Sequence, residues 1–376
     1  MMSSASITVQ QTIDVGELRE RLERHEPVTI LDVRSREDRV EWSIPGSVHF
    51  DVYQALKTGD VHALDHLNLP PESEVVTVCG VGKAAAFAAE LLRARGISAR
   101  ALAGGMKAWS LAWNVAEVRV PESTATVIQV RRTGKGCLSY LIGSGAEAVV
   151  IDASLDPDVY MDLAATQDWT ITHILDTHVH ADHLSRGRAL AEASGGVYYA
   201  PVTNRLRVAF EPLADQDDIA FGRSLLTTLA TPGHTPESSS YLLDGRAILS
   251  GDTLFLSGVG RPDLEANTSE ARERAHLLWS SLQRLTALPP DTLVLPGHTP
   301  EPVPFDGGPI AASLGEVRQN VGALKLPAPD FVETILSRLP PMPPNHAAIV
   351  ALNEAGRIPG GDPTDLEAGA NRCAIS

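Results

Sequence analysis

Three histidines and one aspartate stand within six residues, in the order His178, His180, Asp182 and His183. Neutral imidazole and carboxylate are the ligands that a borderline divalent metal prefers. Three more such side chains each follow a short apolar run that ends in Gly or Pro, as loops at strand ends do. They are His234, Asp252 and His298. The spacing predicts a metal centre whose ligands lie on loops at the ends of strands.

A cysteine occupies a second position with chemical potential. Cys79 directly follows the apolar run Val75–Val78 and precedes a helical pattern. The intervening loop and the first helical residue are Gly80, Val81, Gly82, Lys83 and Ala84. Backbone N–H groups at the start of a helix favour an anion in such a loop, and glycines let the backbone wrap closely around it. The pattern predicts a thiolate or persulfide at Cys79.

The elements that position Cys79 alternate between strand and helix. Val28–Leu31 and Val75–Val78 are predicted strands, Ala84–Arg95 is a predicted helix that ends at a glycine, and Ala99–Leu102 is a further strand. This order and spacing predict a parallel α/β sheet. We expect the first ten residues, which are small and polar, to be frayed.

The remaining chain has a different pattern. Strand patterns dominate from Thr126 onward. The segments Leu138–Ile142 and Ala148–Ile151 are predicted to form a hairpin, and Arg272–Leu288 is a predicted helix. The composition after Gly356 predicts a loose tail. The predicted organisation is a first domain at residues 11–114, a linker at 115–125, a second domain at 126–355 and a flexible tail at 356–376.

Bulk composition narrows the class of protein. A chain of 376 residues with 43% hydrophobic content predicts two domains with real cores. The net charge of −16 argues against nucleic acid or an anionic membrane as a partner. No apolar run has the length of a membrane span, and three cysteines do not suggest a disulfide framework. We expect a cytoplasmic protein, and a homo-oligomer is left open.

The ordered ligand motifs resemble the metallo-β-lactamase superfamily over roughly Thr126 to Val303. The resemblance implies an αββα sandwich of two sheets flanked by helices. In two-metal members of that superfamily, one ion is held at the positions of His178, His180 and His234. The other is held at those of Asp182, His183 and His298, with Asp252 bridging. Two zinc ions and hydrolysis of a thioester or amide therefore stay open.

A neighbouring segment resembles a particular group. Gly258 to Asp263 follows the metal aspartate and resembles the persulfide dioxygenases, and Phe331–Asn353 is similar to their C-terminal end. The resemblance implies one Fe(II) per chain on a facial triad, with the other residues orienting ligands or lining the site. The implied iron ligands are His178, His234 and Asp252. Arg261 is a candidate catalytic residue that would hold an anionic substrate, and it would also, or instead, pair with Asp263.

The first domain resembles the rhodanese sulfurtransferases over about residues 11–114. The motifs in family order are Leu31-Asp32-Val33-Arg34, Ile44-Pro45-Gly46, the Cys79 loop, and Gly104-Gly105-Met106 with Trp109. The resemblance implies an α/β domain with a parallel central sheet, in which Cys79 carries sulfane sulfur as a persulfide. Cys137 begins a predicted strand, so it either packs in the core or relays sulfur.

Together these features predict a non-haem Fe(II) persulfide dioxygenase. It would oxidise a low-molecular-weight thiol persulfide, such as glutathione persulfide, with O₂ to sulfite. The rhodanese-like domain would transfer sulfane sulfur to or from thiosulfate. One alternative is a zinc thioester hydrolase resembling glyoxalase II with an attached rhodanese domain. The other is a non-catalytic sulfur-carrier or sensing module whose metal is structural.

Overall fold

The structure is a computed structural model of the chain and describes residues 11–69, 73–369 and 371–375. The prediction for the first ten residues lies outside this part of the chain. A domain with one parallel sheet precedes a larger domain with two main sheets. No helix in the described ranges is both long and apolar enough to cross a membrane.

The first domain is built on a parallel sheet. Its strands are β1 (Thr12–Ile13), β2 (Val28–Asp32), β3 (Val48–His49), β4 (Glu74–Val78) and β5 (Ala99–Leu102). Its helices are α1 (Val15–Glu23), α2 (Arg36–Glu41), α3 (Tyr53–Lys57), α4 (Lys83–Ala94) and α5 (Gly105–Trp109). The described strands lie in the order β1-β5-β4-β2-β3, and every neighbouring pair is parallel. The predicted strands and the helix after Cys79 are confirmed.

The second domain contains two larger sheets. The strands of the first sheet are β6 (Asn114–Val118), β7 (Thr126–Arg132), β8 (Cys137–Ser144), β9 (Glu147–Ile151), β10 (Thr170–Leu175), β11 (Val197–Pro201) and β12 (Glu211–Leu213). They follow one another in space as they do in the chain, and β8 and β9 form the predicted hairpin. Helices α6 (Pro157–Ala165) and α7 (Gly187–Ser194) belong to the same half of the domain.

The second of these sheets lies in the other half of the domain. Its strands are β13 (Asp218–Phe221), β14 (Ser224–Ala230), β15 (Ser239–Leu243), β16 (Ala247–Gly251), β18 (Leu293–Pro296) and β19 (Ala312–Ser313), with β17 (Val259–Gly260) between β16 and β18 in the chain. Helix α8 (Thr268–Thr286) lies between β17 and β18 in the chain. After β19 come α9 (Leu314–Asn320), a 3₁₀ turn (Gly322–Lys325), α10 (Ala328–Ser337), α11 (His346–Glu354) and α12 (Thr364–Glu367). A last strand, β20 (Ala374–Ile375), pairs with β17.

Alternating side chains explain why these elements form four layers. Along β9, Val149 and Ile151 join the core between the two sheets, whereas Ala148 and Val150 face the core that contains α6 and α7. Successive strand residues point to opposite faces, so both faces of the first sheet are covered. A third core packs the second sheet against α8 and α10. The predicted fold class, a rhodanese-like α/β domain followed by an αββα sandwich, is confirmed.

Two boundary predictions need correction. Part of the expected linker is strand β6, which pairs antiparallel with β7 because alternate residues from Asn114 to Val118 are buried. The expected loose tail contains α12 and β20, and Glu367 in α12 is fully buried. The prediction of a loose tail is wrong because composition cannot reveal that a single carboxylate has buried arginine partners in Arg132 and Arg186.

Candidate functional site

The predicted metal ligands lie together at one edge of the sandwich. His178 follows β10, and His234, Asp252 and His298 follow β14, β16 and β18. Both β14 and β16 are antiparallel to β15, and β18 is parallel to β16, so the carboxyl ends of these three strands share an edge. All four side chains are buried. The sheet topology therefore brings together residues that are far apart in sequence.

Three buried atoms of this cluster have no hydrogen-bond partner within the described residues. They are His178 Nε2, His234 Nε2 and Asp252 Oδ2. Asp252 Oδ2 lies 3.9 Å from His178 Nε2 and 3.5 Å from His234 Nε2. Unpartnered buried polar atoms are costly, and a divalent metal bound among the three would satisfy them together. The donor set therefore fits a metal ion held by two imidazoles and one carboxylate.

Hydrogen bonds behind the two imidazoles orient them toward this point. The Thr177 hydroxyl donates to Asp152 Oδ2 at 2.9 Å, so its oxygen is left to accept from His178 Nδ1, also at 2.9 Å. His234 Nδ1 donates to the Arg261 carbonyl oxygen at 2.8 Å. Both rings therefore carry their hydrogen on Nδ1 and direct the Nε2 lone pair at the shared point.

The electrostatic surroundings favour the protonation states that a metal requires. Burial lowers the pKa of His178 well below its usual value and also lowers the pKa of His234, so both imidazoles are neutral near pH 7. Burial raises the pKa of Asp252, but the charge and hydrogen bond of His298 outweigh this and lower it below its ordinary value. Neutral imidazoles and an ionised carboxylate are the metal-binding forms.

A second set of predicted residues forms a hydrogen-bonded chain beside the triad. His298 lies between two carboxylates, with Nδ1 2.5 Å from Asp252 Oδ1 and Nε2 2.7 Å from Asp182 Oδ2. Asp182 Oδ1 lies 3.0 Å from His183 Nδ1. Burial lowers the pKa of His298, but the two carboxylates raise it well above its usual value. His298 therefore supports Asp252 from behind and leaves Asp252 Oδ2 free.

Cys137 belongs to this second set. Its Sγ lies 3.3 Å from Asp182 Oδ2 and 3.9 Å from His183 Nδ1. Burial and Asp182 raise the pKa of the thiol, whereas the hydrogen bond and charge of His183 lower it, with a net decrease to about 7. Ligand atoms of Cys137, Asp182, His183 and His298 lie within 4.8 Å of one another, so a second ion would also find donors here.

His180 turns away from the triad. Its Nε2 lies 3.2 Å from Asp152 Oδ1 and 3.9 Å from Asp176 Oδ1, and these three residues form a separate group of buried candidate ligands. Asp152 thus supports His180 directly and His178 through Thr177. In this arrangement the imidazole of His180 links the ligand loop to Asp152, which follows β9.

The Cys79 loop has the geometry that its sequence predicts. Cys79 Sγ accepts hydrogen bonds from the backbone N–H of Gly82 at 3.2 Å and of Ala85 at 3.3 Å. Gly82 has a φ of +91°, a conformation that glycine adopts readily and that turns the chain into α4. Sγ is buried at the base of the loop, and Val81 at its tip is 57% exposed. The backbone N–H groups suit an anionic sulfur.

Arg261 takes the structural alternative. Its guanidinium is buried and forms a bidentate pair with Asp263, with Nε–Oδ1 at 2.7 Å and Nη2–Oδ2 at 2.8 Å. Its other donors bind the backbone carbonyl oxygens of Pro340, Pro341 and Arg372. Because these donors are already used, the substrate-anchor interpretation has no support here. Arg261 instead fixes the carbonyl that orients His234.

The structure places three supporting residues at the site that the sequence patterns do not predict. Asp152 and Thr177 orient ligands, and Asn353 donates to the carbonyl oxygens of His180 and His183 at 2.8 and 2.9 Å. Asp152 had a readable signal, because it directly follows the apolar strand β9 as a ligand would. Asn353 lies far along the chain on α11 and had no local signal.

Comparison with known proteins supports the predicted type of both domains. Residues 132–298 match the Metallo-beta-lactamase superfamily, and residues 14–112 match the Rhodanese-like domain. The solved structure of ETHE1 from Myxococcus xanthus is 33% identical, with a TM-score of 0.55, over 61% of this chain and 98% of that protein. The chain belongs to the metallo-beta-lactamase superfamily. A rhodanese-like domain precedes its metallo-beta-lactamase domain.

Other superfamily members extend the comparison. A metallo-beta-lactamase structure from Staphylococcus aureus is 27% identical, with a TM-score of 0.57, over 63% of this chain and 74% of that one. Hydroxyacylglutathione hydrolase from Anaeromyxobacter dehalogenans is 34% identical over 53% of this chain and 78% of that protein. The enzyme of the same name from Rhodospirillum rubrum is 37% identical over 40% of this chain. The chain spans only 56% of the length of that relative.

Proposed function

We propose that the chain is a non-haem Fe(II) persulfide dioxygenase with an attached sulfurtransferase domain. The observation that carries the proposal is the set of three unpartnered, converging atoms on His178, His234 and Asp252. Two imidazoles and one carboxylate on one face are the donor set of non-haem Fe(II) oxygenases. The segment from Gly258 to Asp263, which resembles the persulfide dioxygenases, lies against the same site through the Arg261 carbonyl.

The proposed reaction balances in atoms and electrons. A persulfide, dioxygen and water give the thiol, sulfite and two protons. The terminal sulfur loses four electrons, dioxygen gains them, and the sulfur–sulfur bond breaks with the electron pair going to the thiol. When bound by His178, His234 and Asp252, Fe(II) would activate the persulfide sulfur and dioxygen for this oxidation.

The residues of the chain prepare the site for this chemistry. Thr177 and the Arg261 carbonyl hold His178 and His234 in the tautomer that presents Nε2. His298 holds one oxygen of Asp252 and leaves the other toward the metal position. Burial of all these groups excludes water and strengthens each hydrogen bond.

The proposed role of the first domain is sulfane transfer at Cys79. A thiolate at Cys79 attacks the outer sulfur of thiosulfate, the sulfur–sulfur bond breaks, and sulfite leaves with the electron pair. The reverse reaction returns the sulfur to sulfite and gives thiosulfate. The N–H groups of Gly82 and Ala85 would stabilise the anionic sulfur in either state.

A second candidate function is supported by the curated relatives. Both relatives described above are hydroxyacylglutathione hydrolases. The donors around Asp182, His183 and His298 would permit a second ion. In this alternative the two ligand groups would hold two zinc ions, which would supply an activated water for hydrolysis of a thioester.

Metal content and oxygen uptake test the two candidates. The full chain is purified anaerobically from cells supplied with iron and analysed for iron and zinc. Oxygen uptake is then followed with glutathione persulfide, and hydrolysis with a glutathione thioester. The dioxygenase proposal expects about one iron per chain and oxygen uptake that matches sulfite formation. Two zinc ions with thioester hydrolysis and no oxygen uptake would establish the alternative.

A further inference from the structure

The C-terminal strap, which we define as residues 362–369 and 371–375, is anchored beside the loop that carries His178 to His183. Glu367 within it is fully buried. Its Oε2 accepts from Arg132 Nη2 at 2.7 Å, and its Oε1 accepts from Arg186 Nη1 at 2.6 Å and from the Leu184 N–H at 2.9 Å. Leu184 directly follows His183. The anchor therefore fixes the strap to the loop that carries the ligand motif.

Beyond the anchor, one side chain of the strap contacts the metal-site network, which we define as the hydrogen-bonded residues Asp182, His298 and Asp252. Asn371 Nδ2 donates to Asp182 Oδ2 at 3.0 Å. Asn371 Oδ1 accepts from the Cys373 N–H at 2.8 Å, which fixes the amide with its nitrogen toward Asp182. Asp182 Oδ2 in turn contacts His298, and His298 contacts the ligand Asp252. A continuous series of hydrogen bonds thus joins the strap to one metal ligand.

The strap also reaches the support of a second ligand. β20 pairs antiparallel with β17, and the Arg261 N–H donates to the Cys373 carbonyl at 3.0 Å. Arg261 Nη1 donates to the Arg372 carbonyl at 3.1 Å. The carbonyl of Arg261 is the acceptor that orients His234. The strap therefore holds the backbone that determines the direction of the His234 ring.

We propose that the C-terminal strap is a positioning element of the metal centre and that Asn371 is its positioning residue. The amide of Asn371 holds Asp182 so that His298 stays between the two carboxylates. Asp252 then keeps one oxygen on His298 and the other free for the metal. Outer hydrogen-bond partners of this kind orient metal ligands and change metal affinity when removed. The proposal rests on the ligand set and not on which reaction the centre performs.

A matched control separates this role from general stabilisation of the fold. Asn345 Nδ2 also donates to the strap, at 2.9 Å to the Leu366 carbonyl, but it does not contact Asp182. Each substitution removes two amide hydrogen bonds that involve the strap. Asn345→Leu removes those to the Asp365 and Leu366 carbonyls, and Asn371→Leu removes those to Asp182 and to the Cys373 N–H. Leucine keeps a similar size at each position, so only the loss at Asn371 acts on the metal-site network.

The test uses Co(II) as a spectroscopic probe with the full-length, metal-free protein. We expect Asn371→Leu to weaken Co(II) binding roughly tenfold, at the lower end for outer partners, and to shift the visible absorption bands that report ligand geometry. We expect Asn345→Leu to change the affinity by less than about twofold, with unchanged bands, because it shares no partner with the network. Asn371→Gln keeps an amide donor and should recover part of the affinity.

Wild-type affinity and bands in Asn371→Leu would overturn the proposal, as would equal changes in Asn371→Leu and Asn345→Leu. If circular dichroism shows that Asn371→Leu does not fold, Asn371→Ser is judged by the same two criteria, since its hydroxyl is too short to replace the amide. Cobalt binding does not depend on turnover. Failure of the dioxygenase assay would therefore contradict the proposed reaction but not the positioning role of the strap.

Discussion

The Cys79 loop and the metal centre are built in opposite ways. The sulfur of Cys79 is held by backbone N–H groups three and six residues later, so one turn of chain makes the whole contact. The metal centre takes side chains from four strand ends in two sheets and support from the last residues of the chain. The loop needs its local sequence and the helix that follows. The metal centre needs the complete second domain.

This difference teaches where each site is vulnerable. Backbone donors are insensitive to side-chain changes, so the Cys79 loop depends mainly on its sulfur and glycines. Each metal ligand depends on a partner behind it, such as Thr177 for His178 or His298 for Asp252. Substitutions far along the chain should therefore disturb the metal centre and spare the loop.

The largest expected effect is the difference in iron binding between a variant of the ligand His178 and a variant of the nearby His183. His178→Ala should weaken iron binding by more than about 100-fold and abolish oxygen uptake, because it removes a direct ligand. His183→Ala should weaken it by about tenfold or less, as an outer partner does. Iron per chain after anaerobic reconstitution measures both effects. Equal losses would make His183 a ligand and favour a two-metal centre.

The next expected effect tests the independence of the two sites. Cys79→Ser should abolish transfer of sulfur between thiosulfate and a thiol, because a hydroxyl cannot carry a persulfide. Oxygen uptake with supplied persulfide should stay near the wild-type rate, since the two sites lie in separate domains. Mass spectrometry after incubation with a sulfane donor should place the added sulfur on the Cys79 peptide. A loss of oxygen uptake would instead indicate an obligatory relay.

The buried strap carboxylate should make the second domain sensitive to acid. Burial raises the pKa of Glu367, but Arg132 and Arg186 outweigh it and lower the pKa from 4.5 to about 2. The ionised form is therefore favoured in the folded state by about 3 kcal/mol, since one pKa unit is about 1.4 kcal/mol. This contribution is complete above pH 4.5 and is lost as the pH falls through about 2.

Urea unfolding of Glu367→Gln checks this expectation. At pH 7 the free energy of unfolding should fall by about 3 kcal/mol relative to wild type, because two arginines lose their charged partner. At pH 3 the gap should narrow, because the Glu367 carboxyl of the unfolded wild-type chain, with its ordinary pKa of 4.5, is then protonated while the folded one is still largely ionised. A gap that does not change between pH 7 and pH 3 would contradict the lowered pKa.

The smallest expected effect concerns the tautomer of His178. Thr177→Val removes the hydroxyl that accepts from Nδ1, and we expect a loss of about tenfold in metal affinity. Thr172→Val is the matched control, because that hydroxyl lies in β10 and bonds to the Ala148 carbonyl at 3.3 Å. Calorimetric titration with Co(II) compares the two variants. Equal affinities would remove Thr177 from the support of the metal centre.

The sequence alone determined what was local in this protein. The strand, loop and helix around Cys79 followed from an apolar run, two glycines and a helical pattern. The sandwich followed from the alternating strands and the ligand motifs, since every predicted ligand stands next to a strand end. Alternation and turn residues act over a few positions, and that information is present in the chain as written.

Tertiary structure decided which of these side chains face one another. His180 and His183 stand as close to His178 in sequence as ligands do, yet only His178 joins His234 and Asp252 in the unpartnered triad. The sequence is compatible with two roles for Arg261, and its burial against Asp263 and three backbone carbonyls supports the structural role. The sequence predicts a loose tail after Gly356, because no local pattern shows that Glu367 is buried against arginines more than 180 positions away. Such long-range pairings depend on how the sheets and helices pack, which no local pattern records.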